Sequence, residues 1–203
     1  VMPGPNDTYM SYDTQWANVS NAPFRRFKRW VHEGGISTPF IASWPGQIEP
    51  GTISHEPTQL IDINATCIDA AGSPYPTEYN DNEIIPLEGE SFLSLLRGGS
   101  WSREKTIFWE HEGNGAVRSG EWKLVKEFGS DWELYNMSDD RTELHDLAVT
   151  ESGRVKSMSG SYEEWAARCN VADWPFSVGD WSFPGMANDG TFDMRGHGHV
   201  IPW

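Results

Sequence analysis

Between Asn21 and Pro39 the chain reads NAPFRRFKRWVHEGGISTP, and its Lys28 is the side chain best suited to chemistry. Arg25, Arg26 and Arg29 flank it and His32 follows one helical turn later, in a chain of formal net charge −15. Cations concentrated at one point of an acidic chain suggest a site for a small anion. An ammonium group directs three donors from a compact charge, which suits a tetrahedral oxyanion or an ester oxygen gaining charge as its bond breaks. A lysine near a helix end also complements the C-terminal dipole, and that simpler role stays open. His32 could bind or orient a substrate or accept a proton, but its place before Glu33 and two glycines favours a structural hydrogen bond.

The second cluster is Trp109-Glu110-His111-Glu112-Gly113-Asn114. Strand alternation puts Trp109 and His111 on one face and Glu110 and Glu112 on the other. His111 would then stand at a rim, able to donate to a bound ester or to be satisfied by a neighbouring carboxylate. Nothing marks Glu110 and Glu112 as an acid–base pair. His197-Gly-His199 has weak metal-ligand spacing without a placed third partner, so no metal ligand is expected in this chain. There is no phosphate-binding loop, no G-x-S-x-G nucleophile and no dinucleotide fingerprint.

These groups need elements to hold them. Ser20 or Asn21 is expected to cap a helix with Pro23 in its first turn, Phe24, Phe27 and Val31 as its buried stripe, and Gly34-Gly35 as its end. Residues 1–20 read as loop. TPFIASWP reads as a short buried strand closed by Pro45. PTQLIDINATCIDAAG follows as a helix with Leu60, Ile61, Asn64, Cys67 and Ile68 on one face, Cys67 as a buried thiol and Gly72 as the stop. ESFLSLLR (90–97) reads as a brief helix. From Thr106 the period changes to short runs broken at glycine and aspartate turns, among them Ser119-Gly120 and Gly129-Ser130: an antiparallel meander. After a polar turn over 139–149, Val155, Met158, Tyr162, Trp165 and Ala166 mark a helix able to cover one sheet face. The fold class is therefore α/β. Residues 1–100 look like the end of a layered α/β domain, 101–169 like a small antiparallel sheet with a helix, and 170–203 like an aromatic, glycine-rich tail.

The 30 Asp and Glu against 15 Lys and Arg argue against nucleic acid or an anionic membrane as partner, since both need a broad positive face. No run approaches the roughly 20 apolar residues of a membrane span. Cys67 and Cys169 are too few for a disulfide framework. The chain opens at Val1 without an initiator methionine, as expected of a processed chain or the back part of a longer protein.

Several segments together resemble the type I sulfatases, especially bacterial arylsulfatase-like members. They are WANVSNAPFRRFKRWVHEGGISTPFIASWPG (16–46), IDINATCIDAAG, YPTEYNDNEIIPLEGESFLSLLRG, FWEHEGNGAVRSGEWKLV and WELYNMSDDRTELHDLA. The likeness runs in order from residue 1 to about residue 174. It implies the end of an alkaline-phosphatase-like α/β domain and hydrolysis of a sulfate monoester, aryl or carbohydrate. It further implies a formylglycine made from Cys or Ser, and a calcium ion held by carboxylates and an amide. Lys28 falls on the family's C-terminal sulfate-binding lysine, which also stabilises the leaving oxygen. His111 falls in the part that lines the cleft rim. No C/S-x-P-x-R motif occurs here, so formylglycine and the calcium ligands are expected upstream, in a missing N-terminal portion, and this chain alone is expected to be inactive. The family also implies export to a periplasm or beyond. A homo-oligomer is compatible with the chain. A phosphatase or phosphodiesterase of the same superfamily would place a lysine similarly but needs two metals with several Asp and His ligands. A non-catalytic fragment that binds an anionic glycan or a partner chain is the remaining alternative.

Overall fold

The computed structural model describes residues 13–175. In chain order the elements are α1 (Thr14–Asn21), α2 (Glu33–Ile36), α3 (Leu60–Ala70), β1 (Glu78–Tyr79), β2 (Asn82–Glu83), α4 (Leu93–Leu96), β3 (Ile107–His111), β4 (Asn114–Ser119), β5 (Trp122–Lys126), β6 (Glu133–Asn136) and α5 (Ser152–Arg168). They form two compact units, one built from residues up to 38 with those from 108 onward, the other from residues 39–107. The α/β class holds, with small antiparallel sheets and flanking helices. The part of the tail from residue 176 on, with His197 and His199, lies outside the described residues.

In the first unit the expected meander forms in the order β3-β4-β5-β6. Val117 pairs with Leu124, which pairs with Leu134; Ala116 pairs with Val125, which pairs with Glu133. Because side chains alternate, the two sets lie on opposite faces. Val117, Leu124 and Leu134 pack with Met158 and Tyr162 of α5, flanked by Phe108, Trp122, Trp132, Val155 and Trp165. The period of α5 anticipated this contact. Gly115 is needed beneath it, since a Cβ there would sit 2.9 Å from the Tyr162 ring.

The other face carries Ala116, Val125 and Tyr135, joined by Val31 and Met137 and flanked by Ile36 and Trp109. By register it also carries Lys123 and Glu133. Its cover is residues 25–36, and here the structure corrects the sequence reading. The helix begins earlier, over Thr14–Asn21, where Asp13 caps it by accepting the Thr14 N–H at 2.7 Å. No helix spans Asn21 to Glu33; Arg26 (φ 66°) and Arg29 (φ 106°) are left-handed, which a right-handed helix does not admit. Gly34 and Gly35 sit inside the α2 turn rather than ending a helix. A Cβ on Gly34 would lie 2.2 Å from the carbonyl oxygens of Arg25 and Arg26, and one on Gly35 would lie 1.9 Å from that of Trp30. Close approach of the folded-back loop requires both glycines.

In the second unit α3 and α4 form where expected, and Gly72 (φ 62°) follows the end of α3. The buried side of α3 differs, consisting of Asp62, Ala65 and Thr66. Asp62 accepts the Gln59 N–H at 2.6 Å and the Glu90 N–H at 2.8 Å and pairs with Arg103; Thr66 Oγ1 accepts the Phe92 N–H at 3.1 Å. These polar partners fix the helix's rotation, so Leu60, Ile61 and Cys67 are exposed. Cys67 is therefore not a buried thiol. Residues 39–44 form no strand, and Phe40 and Ile41 are exposed; a strand needs a pairing neighbour, and none adjoins them among the described residues.

Candidate functional site

Residues 25–34 form a loop whose ends meet, the Gly34 N–H donating to the Arg25 carbonyl at 2.9 Å. Each arginine in it reaches a carboxylate of the sheet unit. Arg25 lies 3.3 Å from Glu133, Arg26 pairs with Glu127, and Arg29 lies 2.8 Å from Glu112. The Arg26 and Arg29 guanidinium groups also lie over the Trp30 ring, at 5.4 and 5.5 Å from its centre. Lys28 stands between them in the turn, its side chain exposed.

His32 is fully buried and sets its Nε2 3.3 Å from Glu133 Oε2. Tyr135 donates to the same oxygen at 2.6 Å, and Arg25 donates to the Tyr135 hydroxyl at 2.9 Å. The hydrogen bond to His32, helped by those to Tyr135 and by Arg25, outweighs burial and holds the Glu133 carboxyl down at about 2. Burial and the carboxylate beside it push the Tyr135 hydroxyl well above its ordinary range. His32 is thereby enclosed beside the Glu133 carboxylate.

His111 ends β3, and Trp109 packs on the face that carries Val31. Alternation puts His111 on that same face. Asn114 ties it to the loop, its Nδ2 donating to the carbonyls of His111 at 2.8 Å and Arg29 at 3.3 Å. The segments carrying Lys28 and His111 are thereby joined through one amide. His32 lies beneath the loop, within the same face.

The sequence reading missed a buried ionic group under this loop. Lys123, with no exposed surface, lies 2.9 Å from Glu33 Oε1 and 2.8 Å from Glu143 Oε1. Glu143 Oε2 accepts the Glu33 N–H at 2.8 Å, and the Glu143 carbonyl accepts from Arg25 Nη1 at 2.5 Å. Arg141 stands at the rim, 3.6 Å from Glu33. Burial opposes ionisation of Glu33, but Lys123, with Arg118 and Arg141, prevails and lowers its pKa. One signal was available: in WKLVK, Lys123 shares its strand face with Val125, so a cation was due on a buried face. Its partners, distant in sequence, were not legible.

Among the described residues no group of three or more His, Cys, Asp or Glu could hold a metal ion. The residues here therefore do not fit a calcium site, and neither exposed cysteine lies in the C/S-x-P-x-R setting of a formylglycine.

Residues 24–159, which include the loop, the meander and the first two turns of α5, match the family model described as N-sulphoglucosamine sulphohydrolase, C-terminal. The chain belongs to this sulfatase family. An uncharacterized sulfatase of Schizosaccharomyces pombe is 32% identical over 152 residues, covering 71% of this chain and 27% of its own length. Human arylsulfatase A is 33% identical over 102 residues, covering 47% of this chain and 18% of its own. The sulfatase chain thus spans about a quarter or less of these curated relatives. A solved protein from the Bacteroides thetaiotaomicron locus for metabolism of multiple glycosaminoglycans superposes with a TM-score of 0.57 at 23% identity, over 71% of this chain and 32% of its own, and supports the fold alone. No helix among the described residues is long and apolar enough to cross a membrane.

Proposed function

We propose that this chain is the C-terminal part of an enzyme that hydrolyses sulfate monoesters, with Lys28 binding the sulfate and stabilising the leaving oxygen. The observation that carries the proposal is the loop's anchoring by its arginines. Arg25, Arg26 and Arg29 pair with carboxylates of the sheet unit and hold the backbone of the loop, and that backbone carries the exposed Lys28 between Arg26 and Arg29. An ammonium fixed before the reaction need not reorganise as charge develops, which is where electrostatic catalysis gains. His111 is the rim group that meets the organic part of the ester, and His32 supports the loop from beneath. The names of similar proteins, among them arylsulfatase A and N-acetylgalactosamine-6-sulfatase of the dog, support aryl or carbohydrate sulfates as the substrate class. The formylglycine nucleophile and the calcium ion belong to sequence outside these residues, and we assign the enzyme to the periplasm or the extracellular space.

The test is Lys28→Ala in the full-length enzyme, assayed with aryl sulfates of graded leaving-group basicity. Loss of one preorganised donor lowers kcat/KM on the order of 10²–10³-fold, more steeply for the more basic leaving groups. Unchanged turnover would overturn the assignment. The 203-residue chain alone is expected to turn over no sulfate ester.

A further inference from the structure

Glu143 belongs to the polar turn between β6 and α5, far in sequence from the loop it touches. It is wholly buried and left-handed (φ 57°), a conformation unfavourable for a non-glycine residue. Its two functions face opposite ends of the 25–34 loop. The backbone carbonyl takes the Arg25 guanidinium at 2.5 Å, and the carboxylate takes the Glu33 N–H at 2.8 Å while lying 2.8 Å from Lys123. A buried ion group of this kind is poor value as a stabiliser, because well-packed apolar residues of similar volume often do as well or better. What apolar side chains cannot do is hold the Arg25 guanidinium and the Glu33 backbone N–H at fixed separation. The two positions held here bracket Lys28.

We propose that Glu143 is a positioning residue for Lys28: it clasps both ends of the loop and so fixes where the ammonium stands. This rests on the reading of Lys28 given above. Glu143→Gln keeps the shape and an acceptor for the Glu33 N–H but removes the charge that faces Lys123. Glu143→Asp keeps the charge but falls a methylene short of that N–H. Both alter the carboxylate half of the clasp, leaving the backbone carbonyl that accepts from Arg25 in place, without touching substrate, and Asp serves if the Gln variant does not fold.

The experiment is a double-mutant cycle in the full-length enzyme, with kcat and KM for an aryl sulfate measured for Glu143→Gln, Lys28→Ala and the pair. A misplacement of about 1 Å can cost on the order of 10²-fold, so Glu143→Gln is expected to lower kcat by roughly 10–100-fold with a smaller change in KM. In the Lys28→Ala background the same substitution is expected to cost less than about twofold, because the group it positions is gone. Hydrogen exchange should quicken at the amides of residues 26–33 and stay unchanged in β4 and β5. An equal loss in both backgrounds would make Glu143 a general support and overturn the inference. So would an unaltered kcat, or exchange that rises throughout the sheet. If Lys28→Ala itself retains full turnover, the functional reading falls and takes this inference with it. An impaired Lys28→Ala with additive Glu143→Gln sinks the inference alone.

Discussion

Lys123 and Leu124 are neighbours in β5, yet they enter opposite kinds of interior. On the Leu124 side the sheet meets α5 through aliphatic and aromatic side chains, with Trp165 stacked on Phe108 at 5.2 Å and Trp132 edge-on to Tyr162 at 5.3 Å. On the Lys123 side it meets the 25–36 segment through Glu33, Glu143, Glu133, His32 and Arg25 around a small apolar patch. The first face is held by area removed from water, which is indifferent to small shifts. The second is held by groups whose energy depends on distance and angle, so it fixes a loop to a position. The side of the sheet that carries the candidate site is the one built from directional contacts.

Removing the cation should break the second face most severely. Lys123→Met leaves Glu33 and Glu143 together without their cation and is expected to cost about 3–5 kcal/mol, read from denaturant unfolding. Leu124→Ala on the opposite face is expected to cost about 2–5 kcal/mol through the cavity it leaves. The two variants separate in what restores them. Adding Glu33→Gln and Glu143→Gln to Lys123→Met removes the stranded charges and should recover much of the stability but, in the full-length enzyme, little of the proposed turnover. Recovery of both would mean that the ionic face does no positioning.

Gly34→Ala sharpens the comparison without changing charge. The added methyl would meet backbone carbonyls of Arg25 and Arg26, which cannot swing aside as a side chain can. An overpacking cost of about 1–3 kcal/mol is expected, with turnover lost beyond what the stability change explains. In the full-length enzyme, turnover that tracks stability alone would weaken the proposed link between loop shape and catalysis.

The smallest effect concerns pH. Glu133 has a folded pKa of about 2 against an ordinary 4.5, so its contribution to stability is present above the ordinary value and declines as pH falls from there through about 2. In that window the unfolded state binds the proton more readily, and stability falls with acid. Glu133→Gln should flatten the acid limb of a stability–pH curve over this range. An unchanged slope would mean that other carboxylates dominate it.

How much of this was legible follows from the range of the interactions. The meander and α5 are written in local periods: a period of two in IFWEH and WKLVK, and spacings of three and four from Val155 to Ala166. The basic run around Lys28 was also legible, as cations before a glycine pair. The 25–36 segment was misread because its apolar residues fall at helical spacing, while the forces that bend it come from Glu112, Glu127, Glu133 and Glu143, about 80 to 120 residues away. The rotation of α3 was misread for a similar reason: an aspartate and a threonine with partners in the 90–103 region prevail over an apolar stripe.

By itself, then, the sequence determined the strand and helix periods of the sheet unit, the acidic balance and the basic run that holds Lys28, since each is set by residues near one another in the chain. Only the tertiary structure decided that this run is a folded-back loop rather than a helix. It also decided that Glu33, Lys123 and Glu143 form one buried group beneath the loop, and that His111 is joined to it through Asn114. Directional bonds between distant segments made those choices, and no local pattern encodes their geometry.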